Sequence, residues 1–318
     1  MLDRPGRAVD HPFMFTLAHL SDPHLPMPKA RALDLLGKRV TGYLNWWRHR
    51  VHVHAPEALA GIVADIKVQK PDHIALTGDL VNISLPDEFA RASKWLAELG
   101  KPDGITVTPG NHDAYVSTKW GEGLGLWSTY MAGDDKPPAA DFQVFPTLRR
   151  RGPVALVGLN SGVPKPPFLA TGTLGDAQIA AAERLLADLG RQDLCRVVLI
   201  HHPPLTTESP FKRLTDAAAF QAMIRRVGCE LVLHGHNHRS EVARIEGPAG
   251  PVPVIGVTSA SAAPGSKYGR ARYHLIHIER EPRGWHLGVE IRALRADGAG
   301  CEPDGHLVFR SAAPGVVD

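Results

Sequence analysis

The stretch 73-HIALTGDLVNISLPDEFARASKWLAELGKPDGITVTPGNHD-113 contains two short apolar runs separated by a segment with helical character. The first run ends in Thr-Gly-Asp at 77–79, and Gly-Asn-His-Asp at 110–113 follows the second. Pro86 can open the intervening helix and Gly100 can close it. A strand, a helix and a second strand in this order favour a parallel sheet.

The same alternation extends on both sides of this stretch. A strand is predicted to begin at residue 15 and to break at 21–23, before a helix at 56–70 that Pro56 opens. Thr173 is predicted to cap a helix at 176–190. The other predicted elements of the second half are 154–161, 196–204, 216–227 and 230–238. This pattern is typical of an α/β fold.

The carboxyl-terminal part has a different pattern, in which apolar and polar residues alternate without helices. The four segments with this alternation are 252–260, 273–280, 285–294 and 306–312. Alternation with period two predicts strands, which we expect to be antiparallel and to complete the sheets. Because no low-complexity linker divides the chain, we expect one domain over 14–312 and loose tails at 1–13 and 313–318.

The composition is that of an ordinary globular protein. Of the 318 residues, 43% are hydrophobic and 22% charged, which provides ample apolar material for a large core. The net charge of +3 is compatible with a small anionic substrate and too weak to indicate a nucleic-acid partner. Three scattered cysteines, no signal-peptide pattern and no long apolar run predict a cytoplasmic protein without a transmembrane helix. No feature of the sequence predicts the oligomeric state.

Polar segments follow five of the predicted strands. They are 21-SDPH-24, 78-GDLVN-82, 110-GNHD-113, 201-HHPP-204 and 235-GHNH-238. Because the carboxyl ends of parallel strands lie along one edge of a sheet, these segments can converge on one site. Their side chains offer two carboxylates, an amide oxygen and four imidazoles. These seven candidate ligands are Asp22, Asp79, Asn111, His24, His201, His236 and His238.

The chemistry of these candidate ligands indicates the kind of metal site. Oxygen and nitrogen donors without thiolates favour Mn²⁺, Fe or Zn²⁺ over a closed structural zinc site. Seven ligands are too many for one ion with an open position, but they suit two ions that share a carboxylate. An extended backbone at 22–24 and 236–238 would direct the outer two side chains of each triplet to the same side. Each pair could then serve one ion or two neighbouring ions.

The five segments, in the order D-x-H, G-D, G-N-H-[DE], H-x-P and G-H-x-H, resemble the motifs of the calcineurin-like binuclear metallophosphoesterases. They extend from residue 22 to residue 238. The resemblance implies a four-layer α/β/β/α sandwich, in which two mixed sheets pack face to face with helices outside. It places the site at the edge that the two sheets share.

The resemblance also implies a role for each site residue. The ligands of the first ion would be Asp22, His24 and His238. The ligands of the second ion would be Asn111, His201 and His236. Asp79 would bridge the two ions. His112 would assist the leaving group without binding metal, and Asp113 would orient its ring. The family pattern His-x-Pro favours His201 over His202, a choice that the sequence alone leaves open.

The resemblance implies metal-dependent hydrolysis of a phosphoester, and we expect a phosphodiester. A hydroxide that bridges the two ions would attack phosphorus while His112 assists the departing alkoxide. Two alternatives remain open: a lipid-linked pyrophosphatase that acts at a membrane surface, and a metal-binding module that has kept the fold without catalysis. A nuclease is less favoured because no basic run is long enough to follow a nucleic-acid backbone.

The segment 35-LLGKRVTGYLNWWRHRVHVH-54 lies outside these motifs and combines apolar residues at helical spacing with basic ones. The apolar residues are Leu36, Val40, Leu44, Trp47 and Val51. The segment can be an amphipathic lid that contacts a lipid at the inner face of the membrane, or an anionic substrate tail. It can also be a helix that covers one side of the core. It is similar to basic-aromatic segments of UDP-2,3-diacylglucosamine pyrophosphatases. The sequence assigns no role to His19, His52, His54 and His73.

Overall fold

The computed structural model describes residues 13–35, 37–50, 53–134, 144–205 and 208–312. Except for Phe13, the predicted tails lie outside these residues. The strands in chain order are β1 (Met14–Leu20), β2 (His73–Leu76), β3 (Ile105–Val107), β4 (Thr147–Arg151), β5 (Val154–Gly158), β6 (Cys195–Leu199), β7 (Leu231–His234), β8 (Glu241–Gly247), β9 (Gly250–Gly256), β10 (Arg272–Glu281), β11 (Gly284–Leu294) and β12 (Cys301–Ala312). The α-helices are α1 (Lys38–Asn45), α2 (Pro56–Gln69), α3 (Pro86–Leu99), α4 (Ser128–Met131), α5 (Asp176–Arg191) and α6 (Ala217–Val227).

Two mixed sheets contain these strands, with the orders β12-β11-β10-β1-β2-β3 and β4-β5-β6-β7-β9-β8. The strands β1, β2 and β3 are parallel to one another, as are β5, β6, β7 and β9. The carboxyl-terminal strands β10, β11 and β12 add to β1 in antiparallel pairing, as predicted. The prediction for 252–260 was wrong in one respect, because β9 pairs in parallel with β7 and antiparallel only with β8.

Three apolar clusters show how the layers pack. Between the sheets, Leu17 of β1 and Ile276 of β10 belong to the same buried cluster as Leu199 of β6. The outer face of the first sheet packs against α2 and α3, and the outer face of the second packs against α5 and α6. Alternate side chains of a strand point to opposite faces, so each strand contributes to two layers. The result is the predicted four-layer α/β/β/α arrangement.

Two strands at sheet edges were not predicted. The strand β4 contains three consecutive arginines at 149–151, and β8 carries Glu241, Arg244 and Glu246 among its apolar residues. The two strands form the opposite edges of the second sheet. Charged side chains are common on edge strands, where they discourage pairing with other chains, and they weaken the apolar signal on which strand prediction depends.

The predicted cap of the helix at 176–190 was also wrong. Thr173 hydrogen-bonds through its hydroxyl with Lys165 and Thr215. The backbone N–H groups of Leu174 and Gly175 donate instead to the carboxylate of Asp216, which directly precedes α6. The start of α5 is therefore held by a residue distant in sequence, and no local pattern could have indicated that contact.

His274 of β10 is buried between the sheets, and its ring lies 5.5 Å from that of His19. Burial, together with the neighbouring His234 and Arg272, lowers the pKa of His274 to about 3. In the unfolded chain the pKa is about 6.5, so below that pH the unfolded state binds a proton that the folded state does not. The residue therefore destabilises the fold progressively as the pH falls from 6.5 towards 3.

We expect His274→Leu to reduce the acid sensitivity of the metal-free protein. We compare the free energy of unfolding of the variant with that of the wild type at each pH. The difference, variant minus wild type, should be larger at about pH 5 than at about pH 8 by about 2 kcal/mol. Packing differences between the two side chains act equally at both pH values and cancel in this comparison. Denaturant unfolding of both proteins at the two pH values measures it. An effect of the substitution that is independent of pH would contradict the buried, neutral state of His274.

No helix within the described ranges is long and apolar enough to span a membrane. The predicted 35–54 segment is divided: a short 3-10 turn Ala32–Leu35 precedes α1, and a π-helical turn Trp46–Arg50 follows it. Leu36 and Val51, two members of the predicted apolar stripe, and His52 lie outside the described residues.

Candidate metal centre

The five polar segments meet where the central strands end. Asp22 follows β1 and Asp79 follows β2, and their segments are joined by backbone hydrogen bonds from Asp22 N to Gly78 O and from His24 N to Asp79 O, each 3.0 Å. In the second sheet, Gly235 N donates to His201 O over 3.1 Å. Six of the seven predicted ligands are buried, and His236 is half-buried. The structure thus brings together all seven side chains, which come from both sheets.

Around the first predicted metal position, three donor atoms lie close together. The Nε2 atom of His238 is 3.0 Å from Asp22 Oδ1 and 3.3 Å from His24 Nε2. Donors about 2.1 Å from a tetrahedral ion are separated by about 3.4 Å. These side chains therefore have the spacing that one ion requires.

The second predicted position is formed by Asn111, His201 and His236. The Nε2 atom of His201 lies 3.1 Å from Asn111 Oδ1, and the ring centroids of His201 and His236 are 5.1 Å apart. His202 is also close, with its ring 4.4 Å from that of His236. Its Nδ1 contacts Ser161 Oγ and its Nε2 contacts Ala170 O, so both of its ring nitrogens are already engaged.

Asp79 lies between these two groups. Its Oδ2 atom is 3.8 Å from His24 Nε2 on one side and 3.3 Å from His201 Nε2 on the other. Its Oδ1 atom accepts a hydrogen bond from the backbone N–H of His112 over 2.7 Å. One carboxylate oxygen therefore faces both predicted metal positions while the other anchors the carboxylate.

Backbone carbonyls orient the imidazoles at the two positions. The Nδ1 atom of His24 is 3.3 Å from Val81 O, and the Nδ1 atom of His201 is 2.6 Å from Thr77 O. A carbonyl only accepts, so Nδ1 of each ring carries a proton and Nε2 is the nitrogen directed towards the cluster. Ligating histidines in metal sites are commonly held in this way.

The prediction of an extended backbone at 22–24 and 236–238 was wrong. Five of the seven predicted ligands have a positive φ, at angles between 37° and 70°. They are Asp22, His24, Asp79, His236 and His238. Residues other than glycine seldom adopt this conformation, and it is concentrated at functional sites, where the surrounding structure maintains it. Consequently His236 and His238 diverge, one towards His201 and the other towards His24.

Glycines allow the segments to approach one another. Gly78 has a φ of 90°, and a Cβ there would lie 2.6 Å from Gly110 N and 2.7 Å from His201 Nδ1. A Cβ on Gly235 would overlap with Ser21 Oγ and with a carboxylate oxygen of Asp22. The glycines before Asp79 and His236 are therefore required for close contact between segments as well as for turning the chain.

The electrostatics of the cluster favour a bound cation. Burial by itself would raise the pKa of Asp79, but His201, His112 and His24 outweigh it and hold the pKa well below its ordinary value. Burial opposes protonation of His201, yet the Asp79 carboxylate raises the pKa of His201 to about 9. His201 therefore carries an extra proton, and with it a positive charge, beside the Asp79 carboxylate. A metal ion can take the place of that proton.

Ring nitrogens at the cluster also fit the role of ligands. Burial lowers the pKa of His236 well below its ordinary value, so the ring is neutral and able to bind a metal. Its Nε2 is buried and has no hydrogen-bond partner within the described part of the chain. A buried polar atom without a partner is costly unless a ligand satisfies it. The His and Asp groups therefore fit a binuclear metal site.

The predicted pairing of Asp113 with the His112 ring was wrong. The Asp113 carboxylate accepts hydrogen bonds from the backbone N–H groups of Asp79, Leu80, Val81 and Gly110. Burial, and then the charge of Asp79, raise the pKa of Asp113 to about 7. The Nδ1 atom of His112 donates to the carbonyl of Asn82. Asp113 therefore organises the loop of the bridging carboxylate, and a carbonyl orients the ring of His112.

The carbonyl of Asn82, which orients the ring of His112, is itself held in place. Its side-chain amide donates to Leu25 O over 2.8 Å and to a Glu88 carboxylate oxygen over 3.0 Å. The Glu88 carboxylate also accepts from the backbone N–H groups of Asn82, Ile83 and Leu85 at the start of α3. These bonds hold the Asn82 carbonyl in position to accept from the His112 ring.

A cavity of about 320 Å³ opens beside this centre. Asn111 and His112 lie on its inner side, and α1 and the turn that follows form one of its walls. The cationic lining residues are Lys38, Lys165 and Lys212, and the aromatic ones are Trp46, Tyr115 and Phe168. Lys38 and Trp46 belong to the 35–54 segment that the sequence singled out. No motif marked the other four residues, because they become neighbours of this segment only in the folded chain.

The helix α1 lies beside the centre with its basic residues turned inwards. Arg39 donates to Ile83 O and Ser84 O, and Lys38 donates to Tyr115 O over 3.0 Å. The apolar residues Val40, Leu44 and Trp47 are 42%, 44% and 61% exposed. These three residues do not cover the core, contrary to one of the two interpretations of the segment.

The model of the calcineurin-like phosphoesterase family matches residues 15–240 of this chain. The chain belongs to this family. The matched residues contain the five polar segments and the whole candidate metal centre. Members of the family bind two divalent metal ions, in agreement with the two groups of donors described above.

A curated relative of this chain is the glycerophosphodiester phosphodiesterase GpdQ of Enterobacter lignolyticus, which is 27% identical over 180 residues. The match covers 54% of this chain and 57% of that protein, so it extends over little more than half of either. Among solved structures, a dimetal phosphatase from Danio rerio superposes with a TM-score of 0.59 at 12% identity, covering 94% of this chain and 99% of that one.

A purple acid phosphatase from yellow lupin, Lupinus luteus, superposes with a TM-score of 0.57 at 13% identity. The superposition covers 94% of this chain and 54% of the lupin protein. At these identities the likeness establishes the fold of this chain, and its reaction must be argued from its own residues.

Proposed function

We propose that this phosphoesterase hydrolyses a phosphodiester with the help of two bound metal ions. The observation that carries the proposal is the position of Asp79 Oδ2, 3.8 Å from His24 Nε2 and 3.3 Å from His201 Nε2. A single carboxylate oxygen between two groups of imidazoles is the arrangement expected for a bridging ligand. Two ions bound there would supply Lewis-acid charge and a hydroxide nucleophile at neutral pH.

The proposed ligands are Asp22, His24 and His238 for the first ion, and Asn111, His201 and His236 for the second. Asp22 is held for this role by hydrogen bonds on both of its oxygens, from His236 N to Oδ2 over 3.0 Å and with His238 Nε2 at Oδ1. A carboxylate and two imidazoles at one position, and an amide and two imidazoles at the other, suit Mn²⁺, Fe or Zn²⁺.

His112 is proposed to assist the leaving group. Its Nδ1 is oriented by Asn82 O, so Nε2 is the nitrogen on the opposite side of the ring. The centroid of its ring is 5.0 Å from that of His24, and the residue lines the cavity, which supports a position between the metal ions and the substrate. A proton donated from His112 to the departing oxygen would prevent the build-up of alkoxide charge.

The adjoining cavity supports a diester over a simple monoester. A volume of about 320 Å³ next to His112 can accommodate an organic group on the leaving oxygen. Its lysines are suited to a substrate that carries negative charge, and its aromatic rings to one with an apolar or planar part. The similarity to a glycerophosphodiester phosphodiesterase is consistent with this substrate class.

One observation favours a second candidate, a pyrophosphatase that acts on a lipid-linked nucleotide. The exposed apolar residues Val40 and Leu44 of α1 and Trp47 of the turn after it lie on the elements that also form a wall of the cavity. Phe168 and Phe211, on loops joined by the hydrogen bond from Ala170 N to Phe211 O, are also exposed. Exposed apolar groups around a basic cavity are suited to an amphiphilic substrate at a membrane surface.

The test is the initial rate of hydrolysis of bis(p-nitrophenyl) phosphate by the Mn²⁺-reconstituted protein, with p-nitrophenyl phosphate measured in parallel. We expect faster cleavage of the diester and loss of cleavage when a chelator removes the metal. Cleavage of the monoester alone, or of neither compound by metal-loaded protein, would contradict the proposal. Preferential hydrolysis of UDP-2,3-diacylglucosamine would favour the second candidate.

A further inference from the structure

His54, at the end of the 35–54 segment, is fixed beside the metal centre by the backbone. It forms an antiparallel bridge with Ala262, in which Ala263 N donates to Val53 O over 2.8 Å. The next residue, Ala55, donates through its N–H to Ser261 O over 2.7 Å. The segment at 259–263 is in turn joined to the first motif, because Ser259 pairs with Ser21 and donates through Oγ to Asp22 O. His54 is therefore built onto the same framework as Asp22.

The His54 side chain is oriented by a hydroxyl on one side of its ring. Its Nδ1 lies 2.8 Å from Ser261 Oγ and 3.4 Å from Ser259 Oγ. This contact directs the opposite nitrogen, Nε2, away from the serines. Carbonyls hold the rings of His24 and His201 by Nδ1 in the same way, and leave Nε2 to the metal centre. The arrangement of His54 thus matches that of the proposed ligands.

Ring contacts place His54 against the ligands of the first ion. Its centroid is 4.4 Å from that of His24 and 5.5 Å from that of His238. One nitrogen from each of these three imidazoles lies within 4.8 Å of the other two. Donors on opposite sides of an octahedral ion are about 4.2 Å apart when each bond is about 2.1 Å, so small adjustments bring all three to one ion.

We propose that His54 is a third imidazole ligand of the first metal ion. This inference depends on the proposed function only in assigning His24 and His238 to that ion. The first ion would then have five protein donors: Asp22, His24, His54, Asp79 and His238. The second would keep four, from Asp79, Asn111, His201 and His236. The extra donor makes the two positions unequal, with the first binding its ion more tightly and the second leaving more room for substrate.

The proposal also explains how the 35–54 segment relates to the centre. The segment begins at the cavity wall and ends at a proposed ligand, so the bound ion would tie the carboxyl-terminal end of this segment to the turns after β1 and β7. A third imidazole favours metals that bind nitrogen well, such as Zn²⁺, Fe²⁺ and Co²⁺, over Mg²⁺. The first position should therefore show the stronger preference for these metals.

The experiment is a titration of the metal-free, full-length protein with Co²⁺. Binding is measured by calorimetry and by the visible absorption of the bound ion. The variant is His54→Asn, whose amide can keep the contact with Ser261 but cannot reach the position of Nε2. We expect the wild type to bind two ions. In His54→Asn we expect one of them to bind at least about tenfold more weakly, with altered absorption bands, and the other to be unchanged.

His306→Asn provides the matched control, because His306 is exposed on β12. Its Co²⁺ binding should equal that of the wild type. Denaturant unfolding of the metal-free proteins shows whether His54→Asn folds. If it does not fold, His54→Gln is used in its place, and the same ion is expected to bind more weakly to that variant. Two ions bound by the folded variant with wild-type affinities and spectra would overturn the role of His54. A wild type that binds no Co²⁺ would instead overturn the metal centre of the proposed function.

Discussion

Substitution of Asp79 by asparagine is expected to weaken the binding of both metal ions and to lower phosphodiester hydrolysis by more than about 100-fold. Asparagine keeps the shape of the side chain and an oxygen that can accept from His112 N, so the loop should retain its conformation. What is lost is the negative charge that faces His24 on one side and His201 on the other. Metal content after gel filtration and the initial rate on bis(p-nitrophenyl) phosphate measure the two effects.

The matched control for this prediction is Asp65→Asn. Asp65 is a carboxylate of α2 that pairs with Arg292 and accepts from Tyr273, away from the metal centre. Its replacement can lower stability, but it should leave two ions bound. The loss of only one ion from Asp79→Asn would show that Asp79 serves a single metal position, and the bridging assignment would then be wrong.

His112→Ala is expected to have the second large effect, a loss of about 10²- to 10⁴-fold in turnover with metal content near that of the wild type. The backbone N–H of His112, which anchors Asp79, survives the substitution, and the side chain belongs to neither group of proposed ligands. Turnover should fall because the leaving oxygen no longer receives a proton.

The identity of the leaving group provides a sharper measurement of this role. A p-nitrophenolate needs little protonation, whereas an alkoxide such as that from a glycerophosphodiester needs much more. The ratio of wild-type to His112→Ala rates should therefore be larger for the alkyl diester than for bis(p-nitrophenyl) phosphate. Equal ratios for the two substrates, or the loss of both metals, would contradict the assignment of His112 as a proton donor.

The strand and helix pattern was predictable wherever an element buries a full apolar face. The helices α2 and α3 begin at the proline that the sequence indicated, because Pro56 and Pro86 occupy the first helical position. The strands β4 and β8 were missed because edge strands bury little and carry charge. The contact of Asp216 with the chain that leads into α5 was missed because Asp216 lies 42 and 41 positions from Leu174 and Gly175, whose N–H groups it accepts.

The candidate ligands were predictable because their chemistry is local. Each follows an apolar strand, and parallel strands bring their carboxyl ends to one edge. The orientation of His112 was not predictable, since its partner is the carbonyl of Asn82, and a backbone carbonyl has no signature in a sequence. The backbone at Asp22 and His238 was also misjudged, because the left-handed conformation depends on contacts made only after the sheets assemble.

The sequence by itself determined the layered α/β fold, the family, and the types of side chain that meet at the strand ends, because apolar periodicity and motif spacing are properties of neighbouring residues. Only the tertiary structure decided which groups face one another: Asp79 between His24 and His201, Asp113 bound to backbone amides, the apolar face of α1 turned outwards, and His54 beside the first metal position. The physical reason is that these contacts join segments far apart in the chain, and their distances and directions are set by packing between the two sheets.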